Sequence, residues 1–252
     1  MITFVRAGRA ALTFLTRLPA GGFPYRDEEW QWSSAWFPVV GALLGAIYAG
    51  VWLGVEPGLG AAVAAVLVLV ACLLLTGAFH EDGLADTADA LGGAYTRERV
   101  LEILKDSRIG AFGAAALVVA LMLRAALLVR LGAAAPVALV ACECASRLPP
   151  IWLMAALPYV TADASAKSRL VARARPAQAI AATVLTGLVL TAGLAWGAWT
   201  GAHLVALATA GVTVALLAAW RFHARLGGVT GDFLGAAQQV CVCAMLAAFA
   251  IA

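Results

Sequence analysis

Seven stretches of this chain run for about twenty residues with almost no charged side chain, approximately 36–55, 58–79, 111–131, 133–157, 177–199, 202–222 and 233–252. About 20 apolar residues of helix span a hydrocarbon core. Inside lipid every backbone polar group needs an internal partner, which helices provide segment by segment. Hydrophobic residues make up 63% of the chain and charged ones 12%. A soluble domain carries about a quarter charged residues, so this chain cannot cover a water-facing surface. The expected fold class is therefore all-α: a polytopic helical membrane protein of about seven transmembrane helices with an N-terminal amphipathic segment. Residues 1–252 are read as a single integral membrane domain with catalytic loops on the cytoplasmic side. Met1–Leu18 is expected to lie at the interface with Phe4, Leu12, Phe14 and Leu15 toward lipid. Its apolar run is closed by Arg17 rather than by a cleavage site. Pro149-Pro150 predicts a break in the fourth span. The net charge of +3 is too small for a nucleic-acid footprint.

The basic residues orient the spans. Arg6, Arg9, Arg17 and Arg26 precede the first span, and Arg97, Arg99, Lys105 and Arg108 follow the second. Lys167, Arg169, Arg173 and Arg175 follow the fourth, and Arg221 and Arg225 the sixth. With seven alternating spans these loops share one side, while the other side holds only Arg130. The positive-inside rule makes the rich side cytoplasmic. Cys72, Cys142, Cys144, Cys241 and Cys243 all lie in apolar stretches. Helical residues two apart point about 200° apart, so the two Cys-x-Cys pairs read as small-residue packing rather than a metal motif.

The chemistry gathers in the loops. After the second span comes His80-Glu81-Asp82-Gly83-Leu84-Ala85-Asp86-Thr87-Ala88-Asp89. On a helix Asp82, Asp86 and Asp89 fall within about 60° of one another. Stacked like charges destabilise a helix, and a cation between them reverses the penalty. Hard oxygen ligands suit Mg²⁺, which keeps waters and takes phosphate oxygens to complete its shell. A solvated acidic face is the plainer alternative, but the small and apolar neighbours Leu84, Ala85, Ala88, Ala90 and Leu91 indicate a packed helix. Lys105 and Arg108 close the next amphipathic stretch, where they serve either as phosphate contacts or as helix-end and topological charges. Glu143 and Arg147 are four apart in the fourth span and suited to pair. Arg124 has no local partner in the third. The turn Gly227-Gly228-Val229-Thr230-Gly231-Asp232 permits close backbone approach to a ligand and adds another aspartate on the same side.

Together these segments resemble the cobalamin synthase (adenosylcobinamide-GDP ribazoletransferase) family. The stretches that carry the resemblance are Phe14-Leu15-Thr16-Arg17-Leu18-Pro19, Trp36-Phe37-Pro38-Val39-Val40-Gly41 and His80 through Asp89. Lys105-Asp106-Ser107-Arg108-Ile109-Gly110-Ala111-Phe112-Gly113 and Gly228 through Ala236 complete it. They run in family order from near the start of the chain to near its end. One departure is Gln238-Gln239, where the family pattern leads one to expect an acidic residue nearby. The resemblance implies joining of adenosylcobinamide-GDP to α-ribazole or its 5′-phosphate, giving adenosylcobalamin or its phosphate and GMP. It implies Mg²⁺ as cofactor, with Asp82, Asp86 and Asp89 as metal ligands, Asp232 as a further ligand or a ribose contact, and Lys105 and Arg108 as phosphate holders. His80, Glu81 and Asp106 are the candidate bases, in that order. The setting implied is a bacterial or archaeal cell membrane with the active face cytoplasmic, and the oligomeric state is left open. Two other classes compete. A phosphatidyltransferase acting on a CDP-activated alcohol places Ala-Arg after Asp-Gly, whereas Leu84-Ala85-Asp86 stands here. A transporter concentrates polar residues near the midplane, whereas here they gather in one-sided loops apart from Glu143 and Arg147.

Overall fold

In the computed structural model, which describes residues 2–160, 171 and 174–252, the described residues form helices joined by turns. An isolated bridge between Tyr159 and Val229 is the one β-type pairing among them. The N-terminal helix α1 (Ile2–Leu15) is followed by α2 (Asp27–Ser33) and α3 (Phe37–Thr76). Next come α4 (Phe79–Gly93), α5 (Arg97–Ile103), α6 (Ala111–Leu131), α7 (Ala135–Ala145) and α8 (Leu148–Ala156). The last three are α9 (Pro176–Ala195), α10 (Gly201–Leu226) and α11 (Gly231–Phe249). Lys167, Arg169 and Arg173, three of the basic residues after the fourth span, lie outside the described residues.

Among the described residues, five continuous helical stretches are long and apolar enough to cross a membrane. Two of them reverse direction, so seven apolar arms result. α3 contains 40 residues, which as a straight helix would extend about 60 Å. Yet Phe14 stacks on Phe37 at one end (5.7 Å between centroids) and meets Phe79 just beyond the other end (5.4 Å). The chain folds back at Gly60, whose φ of 81° suits only glycine comfortably, three residues after Pro57. The second reversal is at Gly132 (φ 53°). Arg124 and Glu143 stand at nearly equal sequence distance from the middle of that turn, Gly132–Ala134, and their side chains meet at 2.9 Å, as suits partners across an antiparallel hairpin.

The expected break in the fourth span is present but precedes the prolines. Helix α7 ends before Ser146 and Arg147, and Pro149 and Pro150 sit in the first turn of α8. A first-turn proline lacks only an N–H that has no helical partner anyway. Helix α1 also differs from expectation. Ala7, Ala10, Ala11 and Leu15 are its buried stripe. Phe4 packs on Trp32 and Trp36, and Phe14 on Phe37 and Phe79. These rings therefore cover protein rather than lipid. An ion pair of 2.6 Å between Arg6 and the buried Glu29 holds α1 to α2. All five cysteines are free and buried, in keeping with a packing role.

Candidate active site

Helix α4 is set off from the preceding arm by two successive left-handed residues, Gly77 (φ 68°) and Ala78 (φ 58°). That turn sends α4 back beside α11 and α6, against which it packs. The contact with α11 is a backbone contact. A β-carbon on Gly83 would lie 2.8 Å from the carbonyl oxygen of Asp232 and 3.1 Å from its Cα. Gly83 thereby brings the start of α11 onto the acidic face of α4. The Thr230 hydroxyl caps α11 by accepting from the Phe233 amide at 3.2 Å.

Asp82 is exposed, and Asp86 and Asp232 are partly exposed. Burial pushes the Asp86 carboxyl up to about 6, and Asp82, Asp232 and Asp89 follow as further causes. Carboxylates from two helices thus repel one another at the mouth of this crossing. They are not drawn tightly around a point, since among the described residues no three acidic, His or Cys side chains stand close enough together to hold one ion.

Asp89 has a different engagement. Its two oxygens accept from the Gly110 amide (2.7 Å) and the Gly113 amide (2.8 Å). It caps the start of α6 from another helix, satisfying two amides that have no helical partner. This bond also ties the Lys105–Gly113 motif to the aspartate helix. Arg108 is exposed and pairs with Asp106 at 2.6 Å, and this holds the Asp106 carboxyl down at about 2. Lys105 is exposed beside them.

His80 and Glu81 point inward. His80 is buried, and burial, with the charges of Arg147 and Arg124, pushes its imidazole down to about 3. Glu81 accepts from Gln239 at 3.0 Å and stands 3.5 Å from Arg124. Arg124 continues to Glu143 (2.9 Å), and Glu143 to Arg147 (2.7 Å). The pairing expected between Glu143 and Arg147 is present, and Arg124 finds two carboxylates across helices. Two carboxylates and two guanidiniums balance in charge. The set is closed off by packing, whereas the polar groups of a transport path line a cavity.

Tyr159 was not singled out by its sequence. Chain pairing holds it, with Val229 donating to Pro158 (2.9 Å) and Val160 donating to Val229 (2.8 Å). Its phenol is pushed up by burial and by nearby Asp232. No motif announces this residue, because its place depends on two segments about 70 residues apart meeting in the fold.

The profile of the cobalamin-5-phosphate synthase family matches residues 7–250. The chain belongs to this family. Similar proteins include the adenosylcobinamide-GDP ribazoletransferase of Leptothrix cholodnii, 42% identical over 92% of this chain and 89% of the relative. That of Shewanella amazonensis is 42% identical over 91% and 89%, and that of a Polaromonas species 39% identical over 98% and 97%. No solved structure matches. The family is one of transferases, and its members among these relatives are bacterial.

Proposed function

We propose that the chain transfers the phosphocobinamide group of adenosylcobinamide-GDP to α-ribazole or its 5′-phosphate, releasing GMP. The observation that carries this is the meeting of the Asp82/Asp86 face of α4 with Asp232 at Gly83, in a chain of this family. Mg²⁺ fits the site by its donor set. Three hard oxygen ligands repel one another there, and Mg²⁺ takes only one or two carboxylates alongside waters and substrate phosphates. Asp86 together with Asp82 or Asp232 would hold it, with waters and substrate phosphates completing its shell. Asp89, with both oxygens on the α6 amides, acts as the support of that set. When bound, the ion supplies positive charge against the diphosphate.

The chain's own residues do the rest. Arg108 and Lys105 reach the diphosphate oxygens, Arg108 by exchanging Asp106 for phosphate. The ribose hydroxyl oxygen forms a new bond to the cobinamide-bearing phosphorus as the anhydride bond to GMP breaks. GMP leaves with that electron pair, and the hydroxyl proton goes to water. Neither His80 nor Glu81 takes that proton, since both are buried away from the carboxylate face. Asp106 is held by Arg108 and is too weak a base. Tyr159, beside Asp232, offers a neutral donor to the incoming ligand.

The deciding assay supplies membranes containing the chain with adenosylcobinamide-GDP, α-ribazole and Mg²⁺ and follows GMP. Release no greater than from empty membranes would refute the reading. Arg108→Ala is expected to lower the rate of GMP release more than it lowers the amount of protein inserted, as compared by turnover per folded molecule.

The cation reading also predicts a pH dependence. Asp86 is raised from 3.8 to about 6 in the fold, so the folded state binds this proton more tightly than the unfolded chain. Without metal, stability therefore falls as pH rises between these values, and the ionisation penalty is complete above about pH 6. Millimolar Mg²⁺ should raise the melting temperature of the detergent-solubilised protein distinctly more at about pH 7.5 than at about pH 5. An equal shift at both would argue against carboxylate ligation.

We propose further that the face carrying α1, α4 and α5 is cytoplasmic. A cysteine introduced at position 97 should resist an impermeant thiol reagent added to intact cells and react once the cells are opened. Strong labelling from outside would reverse the orientation.

A further inference from the structure

We infer that Glu81, Arg124 and Gln239 form a positioning clamp that sets the crossing of α4 and α11, and so the spacing of Asp82, Asp86 and Asp232 for a divalent cation. The inference rests on the metal reading of that site. Three side chains from three helices close a triangle. The Gln239 amide donates to Glu81 at 3.0 Å. Arg124 donates to the Gln239 oxygen at 3.3 Å and approaches Glu81 at 3.5 Å. All three side chains are buried.

Their places along the helices give the triangle its purpose. Glu81 immediately precedes Asp82 on α4. Gln239 follows Asp232 on α11 by seven residues, about two turns, and so projects from the same face. The two helices are therefore pinned at two levels, by backbone contact at Gly83 and by the Glu81–Gln239 bond beneath it. Arg124 extends the anchorage to Glu143 and through it to Arg147, so the clamp is fixed to the α6–α7 hairpin. Ions this deeply buried do not exchange partners readily, because an unpaired charge there is strongly unfavourable. Glu81 thus acts through Asp82 and its neighbours and does not touch the reacting atoms. Gln238-Gln239, the departure from the expected acidic pattern, supplies a neutral member that bonds a carboxylate and a guanidinium at once.

The test uses the full chain in detergent, with Mn²⁺ as the probe read by electron paramagnetic resonance and amide hydrogen exchange as a second readout. Gln239→Leu is expected to raise the Mn²⁺ dissociation constant about tenfold, the usual effect of losing a supporting partner. It should also speed exchange in α4 and the start of α11 and leave α9 and α10 unchanged. Glu81→Gln keeps the shape and the bonding to Gln239 and should shift Mn²⁺ affinity less than Glu81→Leu does. Unchanged affinity and unchanged α4 exchange in folded Gln239→Leu would overturn the clamp. So would Glu81→Gln that loses all turnover while binding Mn²⁺ normally, for that is the signature of a base. Should the unaltered protein bind no Mn²⁺, the metal reading falls. Faster α4 exchange in Gln239→Leu then still supports the clamp, and unchanged exchange overturns it.

Discussion

Asp86→Asn is expected to depress GMP release by roughly 10²–10³-fold, the scale of losing one preorganised electrostatic contact in an active site, while the protein still inserts and elutes as a folded species. Asp86 stands one helical turn from Asp82 and one from Asp89, and its ionisation is opposed by Asp82 and Asp232 as well. It is the carboxylate placed to share an ion with either helix. Asparagine preserves shape and removes the negative charge, so packing on α11 should persist. The loss should not be recovered by raising Mg²⁺. Turnover near that of the unaltered protein at saturating Mg²⁺ would show that no anionic ligand is needed at this position.

Arg124→Leu should destabilise the protein by about 3–5 kcal/mol, the range found when one partner of a buried ion pair is removed. Arg124 is 2% exposed and lies within 3.5 Å of both Glu81 and Glu143. Leucine fills much of the volume but leaves two buried carboxylates with Arg147 as their remaining guanidinium. A lowered melting temperature and reduced yield of folded protein are expected. Replacing Glu81 by Gln in the same chain should recover part of the loss, because the orphaned carboxylate is neutralised while Glu143 keeps its pair with Arg147. A thermal unfolding profile of Arg124→Leu that overlays the unaltered one would show that the buried ions are energetically idle.

The spans were legible because lipid imposes a length and a composition that hydropathy reads directly. The periodicity that aligns Asp82 and Asp86 was legible too. The pairing of Glu143 with Arg147 is local, so spacing sufficed. Arg124 was opaque for the opposite reason, since its partners come from α4, α7 and α11 and no spacing rule joins them. Asp89 shares the acidic face, yet its carboxylate caps α6, whose first turn begins more than twenty residues later. The sequence carries no mark of that diversion. His80 is different. Residues two apart on a helix diverge by about 200°, so its distance from the Asp82 face was readable from spacing alone. Its nearness to the aspartates along the chain pointed the other way. The amphipathic face of α1 was legible as apolar, but composition does not distinguish a surface that meets lipid from one that meets Trp32 and Trp36.

The crossing at Gly83 and Gly235 has an unequal tolerance for change. A methyl group at Gly83 would press on the backbone of Asp232, which has no rotamer by which to yield. One at Gly235 would meet His80 and Gly83 at 3.4–3.5 Å, ordinary van der Waals distance. The separation of the two acidic segments is therefore set by main chain on one side of the contact and merely by small size on the other. In a library randomised at both positions, selection for activity should recover alanine beside glycine at 235 and glycine alone at 83. The apolar residues around them are free to drift in identity, since none of them serves as the spacer.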